Sequence, residues 1–60
     1  MDIYQISNAV AEFRINLENS ITMEERKQSV QWLADKIGVD AANTIAAEEF
    51  GLKSDYYRAA

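Results

Sequence analysis

The chain has no cysteine, no histidine and no proline, and only two of its 60 residues are glycine. Without cysteine no disulfide can staple it. Without histidine it lacks the commonest general base and the usual zinc ligand, which leaves only oxygen donors for a metal. The missing proline and scarce glycine remove the main interruptions of a helix. No apolar run approaches the roughly 20 residues of a membrane span, and Met1 leads into Asp2 rather than a basic and then apolar leader, so a cytoplasmic protein without membrane contact is expected. Basic side chains are also few, six against ten acidic ones, for a net charge of −4. Long-range attraction to nucleic acid or anionic lipid is therefore not expected. Arg26-Lys27 is the only basic cluster; Arg14, Lys36, Lys53 and Arg58 are scattered.

What is present is helical patterning, in a chain that is 48% hydrophobic. One domain of this size buries only about 60% of the surface its unfolded form exposes, so its stability alone is small. The stretch Thr22 to Gly38 organises the rest. Thr22 and Glu25 can form a capping box, Met23, Val30, Leu33, Ala34 and Ile37 share one face, and Gly38 can close the last turn in a left-handed conformation with Val39 folding back on Leu33 or Ala34. Trp32 breaks this pattern, because at 100° per residue it points away from the stripe, toward Glu25, Gln28 and Lys36.

A first helix is expected from Asp2, with Gln5 as its capping partner, to about Asn19. Ile3, Ile6, Val10, Phe13 and Leu17 form a stripe that should meet the second helix. Tyr4, Ala11 and Ile15 lie about 160° to 200° around from Phe13 and make its back apolar as well. The short link Asn19–Thr22 makes the first two helices antiparallel neighbours. Asp40 can cap a third helix ending at Phe50, with little bulk to bury, and Phe50-Gly51-Leu52 repeats the helix, glycine, apolar order of Ile37-Gly38-Val39. The tail KSDYYRAA either forms one more turn capped by Ser54 or frays, and adjacent Tyr56 and Tyr57 cannot face one groove. The expected fold is all-α: an antiparallel helical hairpin closed by a shorter third helix, with a possible fourth turn at the C-terminus.

Ala34, Ile37, Gly38 and Val39 match the small residue, apolar residue, turn glycine and following apolar residue of the helix-turn-helix of DNA-binding regulators, which the stretch Leu33–Phe50 resembles. That resemblance implies a nucleic-acid-binding regulator with Asp40–Phe50 as its recognition helix, and Arg26, Lys27 and Lys36 as phosphate contacts. The stretch departs from the motif in placing Ile45 one residue past the core position, at Thr44, and in giving the recognition helix Asp40, Glu48 and Glu49 but no basic residue. The pairs Glu24-Glu25 and Glu48-Glu49 diverge by 100° on a helix and have structural tasks: Glu25 caps, Glu24 complements the helix N-terminus, and Glu49 can pair with Lys53. No catalytic triad, phosphate loop, cofactor or metal site is expected, and hence no enzyme.

Tyr4, Ala11 and Ile15 with Trp32 are the candidate protein-interface residues, since all four miss the intramolecular stripe and aromatics are enriched at interface hot spots. The plain alternative is that the third helix covers Trp32 as core. The expected function is a small protein-interaction module, a regulator, inhibitor or adaptor with an apolar patch rimmed by acidic residues. Its expected partners are an unidentified protein and a second copy of itself, as a homodimer; joining two hairpins into four helices would also use the Phe13/Leu33 stripe. The rivals are the helix-turn-helix reading and an acidic mimic that occupies the groove of a DNA-binding protein.

Overall fold

The computed structural model describes residues 2–60. Helix α1 spans Ile3–Glu18, α2 Met23–Ile37 and α3 Val39–Glu49, followed by a 3₁₀ turn at Asp55–Tyr57. The architecture is all-α, an antiparallel α1–α2 hairpin with the shorter α3 packed on α2.

Both expected start signals are made. Asp2 Oδ1 accepts from Gln5 N–H at 2.9 Å, and Gln5 Oε1 accepts from Asp2 N–H at 3.2 Å. Thr22 Oγ1 accepts from Glu25 N–H at 3.1 Å, and Glu25 Oε1 accepts from Thr22 N–H at 3.2 Å. A cap of this kind contributes about 1 kcal/mol by satisfying donors the helix itself leaves unpaired. At the α1–α2 corner Ser20 Oγ donates to Asn16 C=O at 2.7 Å and lies 3.3 Å from Ser29 Oγ, which itself donates to Glu25 C=O. Ser29 is buried, and these contacts are what make a buried hydroxyl tolerable there.

The second corner differs from expectation. Gly38 has a positive φ of 100°, but its ψ of 152° is extended, so it ends α2 and begins α3 at once. Its N–H donates to Ala34 C=O at 2.8 Å and its C=O accepts from Ala42 N–H at 3.0 Å. Val39 therefore does not fold back; it is the first residue of α3 and is exposed, and the helix starts with no side-chain cap, so Asp40 lies inside the first turn instead of capping it. The end of α3 follows expectation: Gly51 has φ 70°, and Leu52 returns to the core with its N–H on Ala46 C=O at 2.9 Å. Because Gly51 turns the chain, Glu49 and Lys53 do not share the continuous helix that an i,i+4 pair requires.

Phe13, Val30 and Leu33 are wholly buried, joined by Ala34, Ala42, Ala46 and Ala59. Each large side chain removed from water contributes about 1.5–3 kcal/mol. Phe50 packs edge-on against Phe13, with ring centroids 5.1 Å apart. Met23, expected in the α2 stripe, is instead exposed at the start of the helix. The tail does not fray. Ser54 Oγ accepts from Tyr56 N–H at 3.2 Å; Tyr57 packs on the core while Tyr56 faces solvent. Ala59 is held by both ends of the Asn43 amide: its N–H donates to Oδ1 at 2.8 Å and its C=O accepts from Nδ2 at 3.4 Å.

Candidate functional site

Helix α1 is covered only in part. Of its 16 residues only Phe13 is fully buried, with Ala9, Val10 and Leu17 half-buried. The stripe expected to meet α2 does so at Phe13 and Leu17, but Ile3 is 72% exposed and Ile6 is exposed as well. The cause lies in α3. Among the described residues no Cα of α3 comes within 8 Å of a Cα of α1, and α3 offers alanines where bulk is needed to close that distance.

A groove of about 370 Å³ is left between the two helices, lined by Ile6, Ser7, Val10, Ala11 and Arg14 of α1 and by Ile45 and Glu49 of α3. Ile6, Val10, Ala11 and Ile45 give it an apolar part, and Ser7, Arg14 and Glu49 a polar one. The Arg14 guanidinium lies 5.9 Å from the centroid of the Phe50 ring, which ties this edge to the Phe13–Phe50 contact beneath it.

The four candidate interface residues divide between two helices. Tyr4 is 78% exposed and Ile15 is 57% exposed, and Ala11 is exposed within the groove. Ile15 lies about 200° around α1 from the buried Phe13, so it faces away from α2, the helix that carries Trp32. Trp32 is half-buried and packed against the core cluster, with Lys36 Nζ 5.7 Å from its ring centroid. The outer row of α1 and the indole therefore belong to different faces. Phe13 and Leu33 are closed within one copy, so those two side chains have nothing left to offer a second, whereas Ile3 and Ile6 of the same stripe are exposed.

A second concavity of about 310 Å³ lies between α3 and the tail, with Asn43, Thr44, Lys53, Tyr57 and Arg58 among its walls. The Asn43 amide there is already committed to Ala59. Nothing in the sequence singled out Asn43 except its poor propensity for the middle of a helix, and nothing pointed to the Ser20–Ser29 contact.

The helix-turn-helix likeness meets a specific difference: α2 and α3 are joined by Gly38 alone, where that motif uses a turn of about 3–4 residues. Among the described residues no helix is long and apolar enough to cross a membrane. No family model, curated protein or solved structure matches the chain.

Proposed function

We propose that the chain is a non-enzymatic protein-interaction module, one that regulates, inhibits or adapts a larger partner, and that α1 is its docking element. The observation that carries this reading is the exposure of Ile3, Tyr4 and Ile15, at 72%, 78% and 57%, along a helix that otherwise anchors the fold through Phe13. Single exposed apolar residues are ordinary, but here they adjoin an apolar groove and run the length of one helix. An amphipathic helix with an uncovered apolar face meets a partner through residues that recur at three- and four-residue steps, and Tyr4, Ala11 and Ile15 fall on one side of α1 in that register. Acidic side chains at Glu12, Glu18 and Glu49 rim the surface and favour a partner with basic residues around an apolar centre.

Two features favour protein over nucleic acid. The exposed side of α3 carries Asp40, Glu48 and Glu49 with no basic residue, and phosphate contacts supply most non-specific nucleic-acid affinity. The corner between α2 and α3 is also a single residue, Gly38, shorter than the turn of about 3–4 residues that a helix-turn-helix uses.

The test is affinity capture from the native cell with three baits: wild type, Ile15→Asp and Trp32→Ala. The expected result is a partner held by wild type and by Trp32→Ala and lost by Ile15→Asp. Retention of every captured protein by Ile15→Asp overturns the assignment to α1. A mobility shift at low salt that weakens steeply as salt is added would favour the nucleic-acid reading instead.

A further inference from the structure

Gly51, with a φ of 70°, turns the chain at the end of α3, and the Asn43 amide catches it again at Ala59. Between those two fixed points the tail carries Lys53 just after the turn and Arg58 just before the clamp. Lys53 N–H donates to Gly51 C=O at 3.1 Å and Arg58 N–H to Asp55 C=O at 3.4 Å, so the backbone is held on both sides of the 3₁₀ turn. That turn packs on α2, and among the described residues none of its Cα atoms comes within 8 Å of a Cα of α3. The space left is the concavity of about 310 Å³ between α3 and the tail, and both Lys53 and Arg58 line it.

The geometry points to this concavity as a binding site for a small organic anion, a carboxylate or a phosphate ester on a compact apolar body. Lys53 and Arg58 hold the charged group, Thr44 and Tyr57 offer hydroxyl donors, and Ala47 and Leu52 receive the body. The site lies on α3 and the tail, off α1, so it goes beyond the docking role proposed for that helix and does not depend on it.

Charge, donor chemistry and size each single out such a ligand. The chain is −4 overall, yet this concavity is lined by two cations against one carboxylate, Glu48, and the tail's own acid, Asp55, does not line it. Two other concavities are balanced, with Arg14 against Glu49 in the α1–α3 groove and Lys27 against Glu24 beside Met23 and Tyr56. An excess of one sign in a recess concentrates the field there, even in a molecule whose total charge repels anions. Lys53 brings a compact ammonium and Arg58 a planar fork of N–H groups, which suit the oxygens of a carboxylate or phosphate. Because the Asn43 amide is already used by Ala59, recognition falls to these cations and the two hydroxyls. Leu52 and Tyr57 pack on the core and Ala47 is half-buried, so part of the lining is apolar and gains from covering an apolar body. The volume is at the lower end of the roughly 300–1,000 Å³ of small-molecule sites, which fits one charged group on a single ring rather than a polymer. A nucleic-acid backbone would also meet Asp40, Glu48 and Glu49 along the same helix. With the tail fixed at both ends, the ligand has little chain to order on binding.

The test is a nuclear magnetic resonance titration of the full chain with phenyl phosphate, benzoate and benzamide, followed at the backbone amides. Both anions should move the amides of Thr44, Ala47, Lys53, Tyr57 and Arg58 along saturable curves, with a Kd below about 20 mM. Benzamide keeps the ring of benzoate without its charge and should bind about tenfold more weakly or worse, the weight of one charge-assisted hydrogen bond. Lys53→Gln and Arg58→Gln should each weaken both anions by about tenfold for the same reason, and Glu48→Gln should tighten them by about twofold or more. All three side chains are exposed, so these substitutions leave the fold intact. Tighter binding of phenyl phosphate assigns a phosphate ester and tighter binding of benzoate a carboxylate; either supports the site.

Absence of saturation by either anion up to about 20 mM overturns the proposal. So does benzamide binding as tightly as benzoate, or an affinity unchanged in both Lys53→Gln and Arg58→Gln. Amide shifts centred on Arg26 and Lys27, the adjacent basic pair of α2, would also overturn it by showing attraction to exposed charge alone. None of these outcomes bears on the loss of a captured partner by Ile15→Asp, so the anion site and the docking role of α1 fail separately.

Discussion

Replacing Asn43 by Ala removes both hydrogen bonds that hold Ala59, leaving the tail the bond from Ala60 N–H to Gln31 Oε1 at 3.3 Å, and its cost can be worked out from the geometry. The Ala59 N–H to Oδ1 bond at 2.8 Å is well formed, whereas the Nδ2 to Ala59 C=O bond at 3.4 Å is long. At about 0.5–1.5 kcal/mol net per bond, weighted toward the shorter one, the loss comes to about 1.5–2 kcal/mol. In a domain of this size each kcal/mol moves the melting midpoint by about 4–8 °C, so a fall of about 6–16 °C is expected by circular dichroism. Amide exchange at Ala59 should rise from protected to nearly free, because Ala59 is otherwise held only by its burial against the core. A chain ending at Tyr57 has no Ala59 to hold. Asn43→Ala should therefore cost no more than about 0.5 kcal/mol in that shorter chain, the usual limit of additivity error. Equal costs in the long and short chains would show that Asn43 acts through something other than the tail, and would refute the clamp.

The two glycines should differ in the cost of a Cβ. Nothing lies within 4 Å of a Cβ built at either, so the penalty is backbone strain alone. Gly38→Ala, at φ 100° and ψ 152°, should cost about 1–3 kcal/mol, and Gly51→Ala, at φ 70°, about 1–2 kcal/mol, read from urea midpoints at unchanged slope. Phe13→Ala should cost about 3–5 kcal/mol, most of the roughly 3–9 kcal/mol expected for a chain this short, and so abolish a cooperative melt. Trp32→Ala should cost about 1–2 kcal/mol, less than for a fully buried indole, and leave partner capture unchanged because Trp32 lies off the α1 face.

The hairpin was legible because its signals are local. Asp2 with Gln5 and Thr22 with Glu25 state where α1 and α2 begin, and the spacing of Phe13, Leu17, Val30, Leu33 and Ala34 states which faces meet. Gly38 was legible as a stop but not as a one-residue corner, since a positive φ serves equally for a left-handed cap and for the extended conformation it adopts. Once the corner is that short, Val39 has no length of chain in which to fold back, and α3 starts one residue before its expected cap. The half-empty stripe of α1 escaped the sequence for a non-local reason: Ile3 and Ile6 have the correct spacing for burial, but their cover depends on how closely α3 approaches. The Asn43 clamp spans 16 positions and carries no periodic mark, so only the fold reveals it.

The outward face of α1 can be read directly through the isoleucine methyl groups, because three of the six isoleucines lie on that helix and the other three lie off it. Ile3, Ile6 and Ile45 stand at or near the groove, Ile15 on the outer row, Ile21 in the exposed link and Ile37 against the core. Methyl accessibility to a soluble paramagnetic probe, compared before and after the captured partner is added, is the decisive measurement. Ile3, Ile6, Ile15 and Ile45 should become shielded together while Ile21, at 86% exposed, stays fully accessible. If Ile3, Ile6 and Ile15 stay as accessible with the partner bound as in the chain alone, the partner does not dock on α1, and the role assigned to that helix is contradicted.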